Sequence, residues 1–433
     1  MENTESAAVK KMQQFDIGIV GGGIVGLALV ASLVALNQQQ NKKLNIALYE
    51  QFPAKFKQPE SEDDWDLRVS AITPASSQLF KSIGVWDQIA EHRIAPYQGM
   101  QVWDSLGDGK IEFSAEDLKL PFLGHIIENR VMRKVLWQWL ELQAADPDSG
   151  VELFCPVTLN SAQYSAAQQL TSLELQKNNG NHEQHQLKLA VAADGANSWL
   201  RRQLGLRHSE RAYGHQALVT TIRTEQPHQQ ICRQAFMSSG PLALLPLADP
   251  HTCSIVWSAD DQKATELQNY SPTQLAGAIA AAMDHRLGEV ALITDNGFFP
   301  LRMRHATHYG EAGIALVGDA CHTVHPLAGL GMNLGLMDAA MLAQVICEND
   351  QSLENPGDAL LMRRYQRRRK AEITSVLLAM DSFRLLFGSK FIPLVQLRNF
   401  GLKMTDRLGP IKNLFAGYAV GNKADTPVLA RVK

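Results

Sequence analysis

Six residues, Gly21-Gly22-Gly23-Ile24-Val25-Gly26, constrain this chain more than any other part of it. They form a GxGxxG run that follows a β-type apolar segment, residues 15–20 (FDIGIV), and opens a helical pattern over residues 24–36. Residues 44–49 (LNIALY) then read as a second buried strand, ending at Glu50. Together these make a β-α-β unit of the usual ~30-residue length. In such a unit Gly21 permits a tight turn, Gly23 lets the backbone approach a pyrophosphate, and Gly26 lets the helix pack on the strand. The helix N-terminus offers free N–H groups and a partial positive charge to phosphates, and Glu50 is placed to accept from ribose hydroxyls. Residues 17–36 are also the longest apolar stretch. Their glycines and their strand-then-helix pattern argue against a membrane span.

Two further motifs stand far downstream. Asp194-Gly195 follows the apolar run LKLAVAA, with Ser198 and Arg201 beyond it. A carboxylate and a glycine at a strand end bind a ligand or cap a helix with equal ease. The third motif is Ala315-Leu316-Val317-Gly318-Asp319, continued by the loop Pro326-Leu327-Ala328-Gly329-Leu330-Gly331-Met332-Asn333. Asp319 can accept from a sugar-alcohol hydroxyl. The N–H groups of Gly331, Met332 and Asn333 begin a helix and can face an anionic ring.

Between the motifs, residues 51–66 read as an acidic surface loop, 70–84 and 129–142 as helices, and 102–113 as a hairpin around Gly107 and Gly109. Residues 151–193 read as strands with a polar turn at 178–185. Residues 215–260 alternate as an antiparallel sheet, 333–347 form a helix, and 355–433 are mostly helical and basic. At roughly 100–200 residues per domain, a chain of 433 residues makes two or three domains. The pattern is α/β: a Rossmann-type parallel-sheet domain interrupted by an antiparallel-sheet domain, followed by a helical C-terminal region. The net charge of −3 gives no pull toward nucleic acid. The five cysteines form no CxxC and no disulfide framework, and residues 1–15 carry no apolar signal core. A reducing, cytoplasmic setting follows.

The three motifs, in this order and spacing, resemble the class A FAD-dependent aromatic hydroxylases, a family with the p-hydroxybenzoate hydroxylase fold. The resemblance runs over nearly the whole chain and is weakest in the tail. It implies that Gly21, Gly23, Gly26 and Glu50 bind the ADP half of FAD, that Asp194 and Gly195 lie between the cofactor halves, and that Gly318 and Asp319 hold the ribityl chain. It also places Pro326, Gly329, Gly331, Met332 and Asn333 at the flavin ring, with Arg68 and Asn129 as further contacts. Segments such as Leu67-Arg68-Val69-Ser70-Ala71-Ile72, Gly124-His125-Ile126-Ile127-Glu128-Asn129 and Leu245-Pro246-Leu247 are similar to the ubiquinone-biosynthesis branch, nearest to its 2-polyprenylphenol hydroxylases. The family usually has Gln where this chain has Leu330. The implied division is FAD-binding parts at 1–96, 125–205 and 300–350, substrate-domain parts at 97–124 and 206–299, and a C-terminal region at 351–433.

The resemblance implies ring hydroxylation of a polyprenylated phenol with O2, through a flavin C4a-hydroperoxide, in ubiquinone biosynthesis. Reduction would come from NAD(P)H or a redox partner. A sister hydroxylase acting on a methoxylated or demethoxy intermediate, and a non-catalytic FAD-bound scaffold of a quinone-synthesis complex, are the alternatives. No catalytic acid or base is assigned. His322 and His325 stand near the flavin loop in hydrogen-bonding roles, Cys321 is a packed residue, and no metal is expected. Expected partners are other ubiquinone-biosynthesis proteins, a second copy of the chain, and the inner face of the cytoplasmic membrane. The last rests on a basic, apolar tail that includes Arg363, Arg364, Arg367, Arg368, Arg369, Lys370, Leu385, Phe387, Lys390, Phe391 and Arg398.

Overall fold

Residues 17–20 of strand Met12–Val20 are buried on both faces, as a central parallel strand must be. It pairs in parallel with Ile46–Tyr49 on one side and His182–Ala192 on the other. The sheet continues in parallel to Val151–Phe154 at one edge and, beyond His182–Ala192, to Ile314–Leu316, which the short antiparallel strand Gly310–Glu311 flanks at the other. An antiparallel extension, Val157–Ser165 with Leu170–Lys177, runs back along His182–Ala192. The computed structural model describes residues 12–38, 43–56, 60–61, 63–324, 329–348, 350–388, 395–396, 398–399 and 425–432.

Helix Ile24–Asn37 is apolar on every side and buried over residues 24 and 26–34. A helix of that kind needs protein around it, and it packs between the sheet, Asn129–Ala145 and Leu330–Ile346. The apolar stretch 17–36 is thus a strand and a core helix, and among the described residues no helix is long and apolar enough to cross a membrane.

The second sheet is mostly antiparallel and carries nine strands. Its order from one edge is His322–Thr323, Gly297–Ala306, His208–Thr224, Thr252–Asp260, Gly240–Pro246, Ile231–Met237, Gly99–Asp104 and Lys110–Ser114, with Val290–Leu292 added beside His208–Thr224. Strand Gly297–Ala306 is continuous through residue 299. The expected hairpin within 102–113 is present as Gly99–Asp104 with Lys110–Ser114. One face of this sheet is sealed by helices Asp261–Gln268 and Pro272–Ala282 over Leu218, Leu242, Ile255 and Trp257.

A three-stranded sheet of Val69–Ile72, Gly124–Glu128 and Ala95–Tyr97 joins the two large ones. The helix expected over 70–84 is correspondingly shorter. Its start is strand, Thr73 caps it through the Ser76 N–H, Pro74 takes the first turn, and it covers Pro74–Ser82. The acidic loop before it is pinned: Arg93 stacks 3.9 Å over Trp65, and Arg130 bonds Asp64 at 2.9 Å.

The basic tail divides in two. Arg369 is fully buried, Arg364 pairs with Glu348, and Lys370 donates to the Thr307 carbonyl. Arg398 is also buried. Its Nε and Nη2 clasp Asp104 at 2.6 and 2.9 Å, while Nη1 donates to the Leu386 and Phe387 carbonyls. Asn399 adds a bond to Asp104 and accepts from the Gly109 N–H. Phe387 stacks on Phe236. Arg369 and Arg398 are interior anchors and not membrane-facing cations, while Arg363, Arg367, Leu378 and Leu385 stay exposed on helix Ala359–Gly388. Lys390 and Phe391 lie outside the described residues.

Removing one member of a buried pair strands the other's charge. Asp104→Ala is expected to cost about 3–5 kcal/mol, read as a lower denaturation midpoint. Replacing Asp104 and Arg398 together by leucine should recover part of that loss.

Candidate active site

Strand register gathers the three motifs. Val20 lies opposite Ala192 and opposite Tyr49, and Ala192 lies opposite Leu316. The four strand ends therefore stop in line, about 4.8 Å apart. Just beyond them sit Gly21, Glu50, Asp194 and Gly318-Asp319, at the carboxyl edge where open α/β sheets bind ligands.

Each glycine of the first motif has a separate steric reason. Gly21 has φ +116°, and a Cβ there would meet the Ala193 carbonyl oxygen at 2.5 Å. A Cβ on Gly26 would meet the Gly21 carbonyl oxygen at 2.1 Å, so no side chain fits between helix and strand. A Cβ on Gly23 would meet nothing within 4 Å, which leaves the helix entrance open. Glu50 bonds the Gly22 N–H at 2.7 Å and the Phe52 N–H at 3.0 Å. Its carboxylate is thereby fixed at the strand end. Arg133, which the sequence did not single out, donates to the Gly22 carbonyl at 3.3 Å.

Asp194 is a helix cap: one oxygen accepts from the Trp199 and Leu200 N–H groups at 2.6 and 3.0 Å. Its other oxygen is buried without a partner. Gly195 makes the turn with φ +81°. Arg201 bridges this motif to the third, donating to the Ala196 and Ala320 carbonyls at 3.1 and 2.6 Å.

Asp319 is open to solvent, yet burial by surrounding protein raises its carboxyl. A group accessible and crowded at once belongs on the wall of a deep cleft. Gly329 has φ +62° and begins helix Leu330–Ile346, with no side chain capping it among the described residues. The first N–H groups, at Leu330, Gly331 and Met332, thus form an uncapped, partly positive helix end. The Asn333 side chain instead ties this turn down, accepting from the Thr73 N–H and donating to the Ala71 and Gly329 carbonyls. Asn129 accepts from the Ser70 hydroxyl. Arg68 is exposed, 5.3 Å over the Phe299 ring, at the junction of the two large sheets. Pro326 and His325 lie outside the described residues.

Behind the cleft lies a carboxylate that the motifs did not reveal. Asp338 is fully buried and accepts from the Gly318 N–H at 3.0 Å, His322 Nε2 at 2.6 Å and Arg369 Nε at 2.7 Å. Burial pushes this carboxyl up, but His322 and Arg369 beside it outweigh that and the net shift is downward. His322 thus has the hydrogen-bonding role expected of it. Burial drives the Cys321 thiol well up, which keeps it protonated and inert. Among the described residues no group of three His, Cys, Asp or Glu could hold a metal ion.

The free face of the antiparallel sheet looks toward these loops. Leu245 and Cys232 on that face cluster with Ala71 and Val69, and Ala71 lies beside Gly329. Val219, Ala243, Leu245 and Val256 are half-buried there while Leu218, Leu242, Leu244 and Ile255 are sealed on the other face. The result is a largely apolar surface opposite the cleft lined by the three motifs.

Known proteins share this arrangement. Residues 14–379 match the FAD binding domain family. The chain is 36% identical over 409 residues to 3-demethoxyubiquinol 3-hydroxylase of Escherichia coli, covering 94% of this chain and 99% of that protein. It is 31% identical to the ubiquinone biosynthesis monooxygenase COQ6 of Danio rerio, covering 96% and 92% of the two chains. The p-nitrophenol 4-monooxygenase PnpA of Pseudomonas putida DLL-E4 superposes with a TM-score of 0.71 at 14% identity, over 94% of this chain and 97% of that one, and so shares the fold.

Asp338→Asn should strand the buried Arg369 charge and destabilise the protein by on the order of 3 kcal/mol at pH 7. The downward-shifted carboxyl contributes stability in full above its unfolded value near 4, and that contribution is lost as pH falls toward the folded value. The gap between wild type and variant should therefore narrow below about pH 4 in urea-unfolding measurements. The chain belongs to the FAD-dependent aromatic monooxygenase family that includes the ubiquinone-biosynthesis hydroxylases.

Proposed function

We propose that this enzyme hydroxylates the ring of a demethoxy intermediate in ubiquinone biosynthesis. The observation that carries this reading is the 36% identity to 3-demethoxyubiquinol 3-hydroxylase across 99% of that protein. The comparisons lend no specific support to the 2-polyprenylphenol substrate implied by the motifs, and they favour the demethoxy alternative. The apolar sheet face of Val219, Ala243, Leu245 and Val256 is suited to a ring with a hydrocarbon tail.

FAD fits the residues present. Gly21, Gly23 and Gly26 leave room for its pyrophosphate at the entrance of helix Ile24–Asn37, and Glu50 takes the ribose hydroxyls. Asp319 takes the ribityl chain, and the uncapped turn at Gly329, Gly331 and Met332 faces the flavin ring. Asp194, Gly195, Arg68, Asn129 and Asn333 frame the same cleft. When bound and reduced, the flavin activates O2 and delivers one oxygen atom to the ring. The protein binds and orients both partners and keeps water from the reacting atoms. An NAD(P)H or redox-partner reductant completes the cycle, and exposed Arg363 and Arg367 suit contact with an anionic membrane surface where the substrate dissolves.

Deleting the gene should make a demethoxy-quinone intermediate accumulate, identified by mass spectrometry. Accumulation of a 2-polyprenylphenol would overturn the assignment. Asp319→Ala removes a charge-assisted hydrogen bond and should weaken FAD binding at least about tenfold, read by fluorescence titration of the apoprotein.

A further inference from the structure

Gln234 is an anomaly on the apolar sheet face. It is 5% exposed, and among the described residues its side-chain amide has no hydrogen-bond partner. Buried amides are nearly always bonded, and an orphan calls for a reason. The amide still meets open space and not packed protein.

Register fixes where it points. Its neighbour Ala235 is buried in the cluster under the sealing helices, so Gln234 projects from the opposite face. On that face Cys232, two residues before, clusters with Ala71, which lies beside Gly329 of the flavin loop, and Phe236, two residues after, stacks on Phe387 of helix Ala359–Gly388. Across the strands Gln234 lies opposite Ala243, Ala243 opposite Val256, Val256 opposite Val219, and Val219 opposite Gly297. A single amide therefore stands within a cross-strand row of apolar residues, between Ala243 and Val102, on the face that Cys232 shares with Ala71 beside the flavin loop. No other side chain in that row can hydrogen-bond.

We infer that the Gln234 carboxamide grips the oxygen-bearing edge of the aromatic substrate, while the row Ala243, Val256 and Val219 receives its apolar surface. An amide both donates and accepts, so it can bind a ring hydroxyl or a ring oxygen without a change of charge. This rests on the proposed aromatic substrate but not on which pathway intermediate it is.

The test uses full-length, FAD-loaded enzyme and a demethoxyubiquinol with a two-isoprene tail, beside the same molecule with both hydroxyls methylated. In Gln234→Met the hydroquinone should bind about five- to tenfold more weakly, the loss of one hydrogen bond, and KM should rise by a similar factor. The methylated analogue should lose less, so the wild-type preference for free hydroxyls shrinks. FAD affinity should not move, and the melting temperature should be equal or higher, because among the described residues the amide has no protein hydrogen bond to lose. A lower melting temperature would assign Gln234 a structural role and overturn the inference, as would equal losses for both ligands or a selective loss of FAD binding. If wild type binds the hydroquinone but does not oxygenate it, the proposed substrate fails, and the binding comparison still decides the role of Gln234. No binding by either protein overturns both.

Discussion

The parallel pairing of Met12–Val20 with His182–Ala192, and of that strand with Ile314–Leu316, is the constraint on which the rest depends. A parallel strand needs a crossover, and here the crossovers are long enough to contain whole sheets. The register does not blur over those distances. Each strand is buried on both faces at its carboxyl end, so a slip would displace a close-packed row of apolar side chains. Functional groups distant in the chain thus share one edge, and the intervening residues are free to build the apolar wall opposite.

That arrangement explains what could be read in advance. The glycine unit was legible because its geometry is local: turn, helix entrance and close packing lie within six residues. The hairpin at 99–114 and helix Asn129–Ala145 were legible from period alone. The small joining sheet was not, since its strands are three to five residues long and pair across more than twenty residues. Strand Val69–Ile72 was absorbed into the helix that follows it.

The candidate site shows the same division. Asp194 left two readings open, and its geometry realises one of them, the helix cap, while leaving one oxygen spare. Asp338 carried a signal that motif reading passed over: it is the one charged residue in the helix LGMNLGLMDAAMLAQVI. An ionisable group at a fully buried helical position requires a partner, and that partner, Arg369, comes from a stretch that composition assigns to the surface. Arg398 was misplaced for the same reason. Composition counts charges, but burial is decided by pairing, and the partner of Arg398 lies 294 residues earlier.

That separation has a consequence for synthesis. Asp104 emerges from the ribosome on a strand of the antiparallel sheet, and its clasp is encoded 294 residues later. At about 5–20 residues per second, roughly 15–60 s pass before Arg398 follows. During that interval the sheet holds an unmatched acid at a position destined for the interior. Closure of this sheet therefore waits on residues made long after it: Arg398 and Asn399 act as a latch on a compartment begun at Asp104, and a nascent protein stalled before them is incomplete however much of its cofactor cleft has formed.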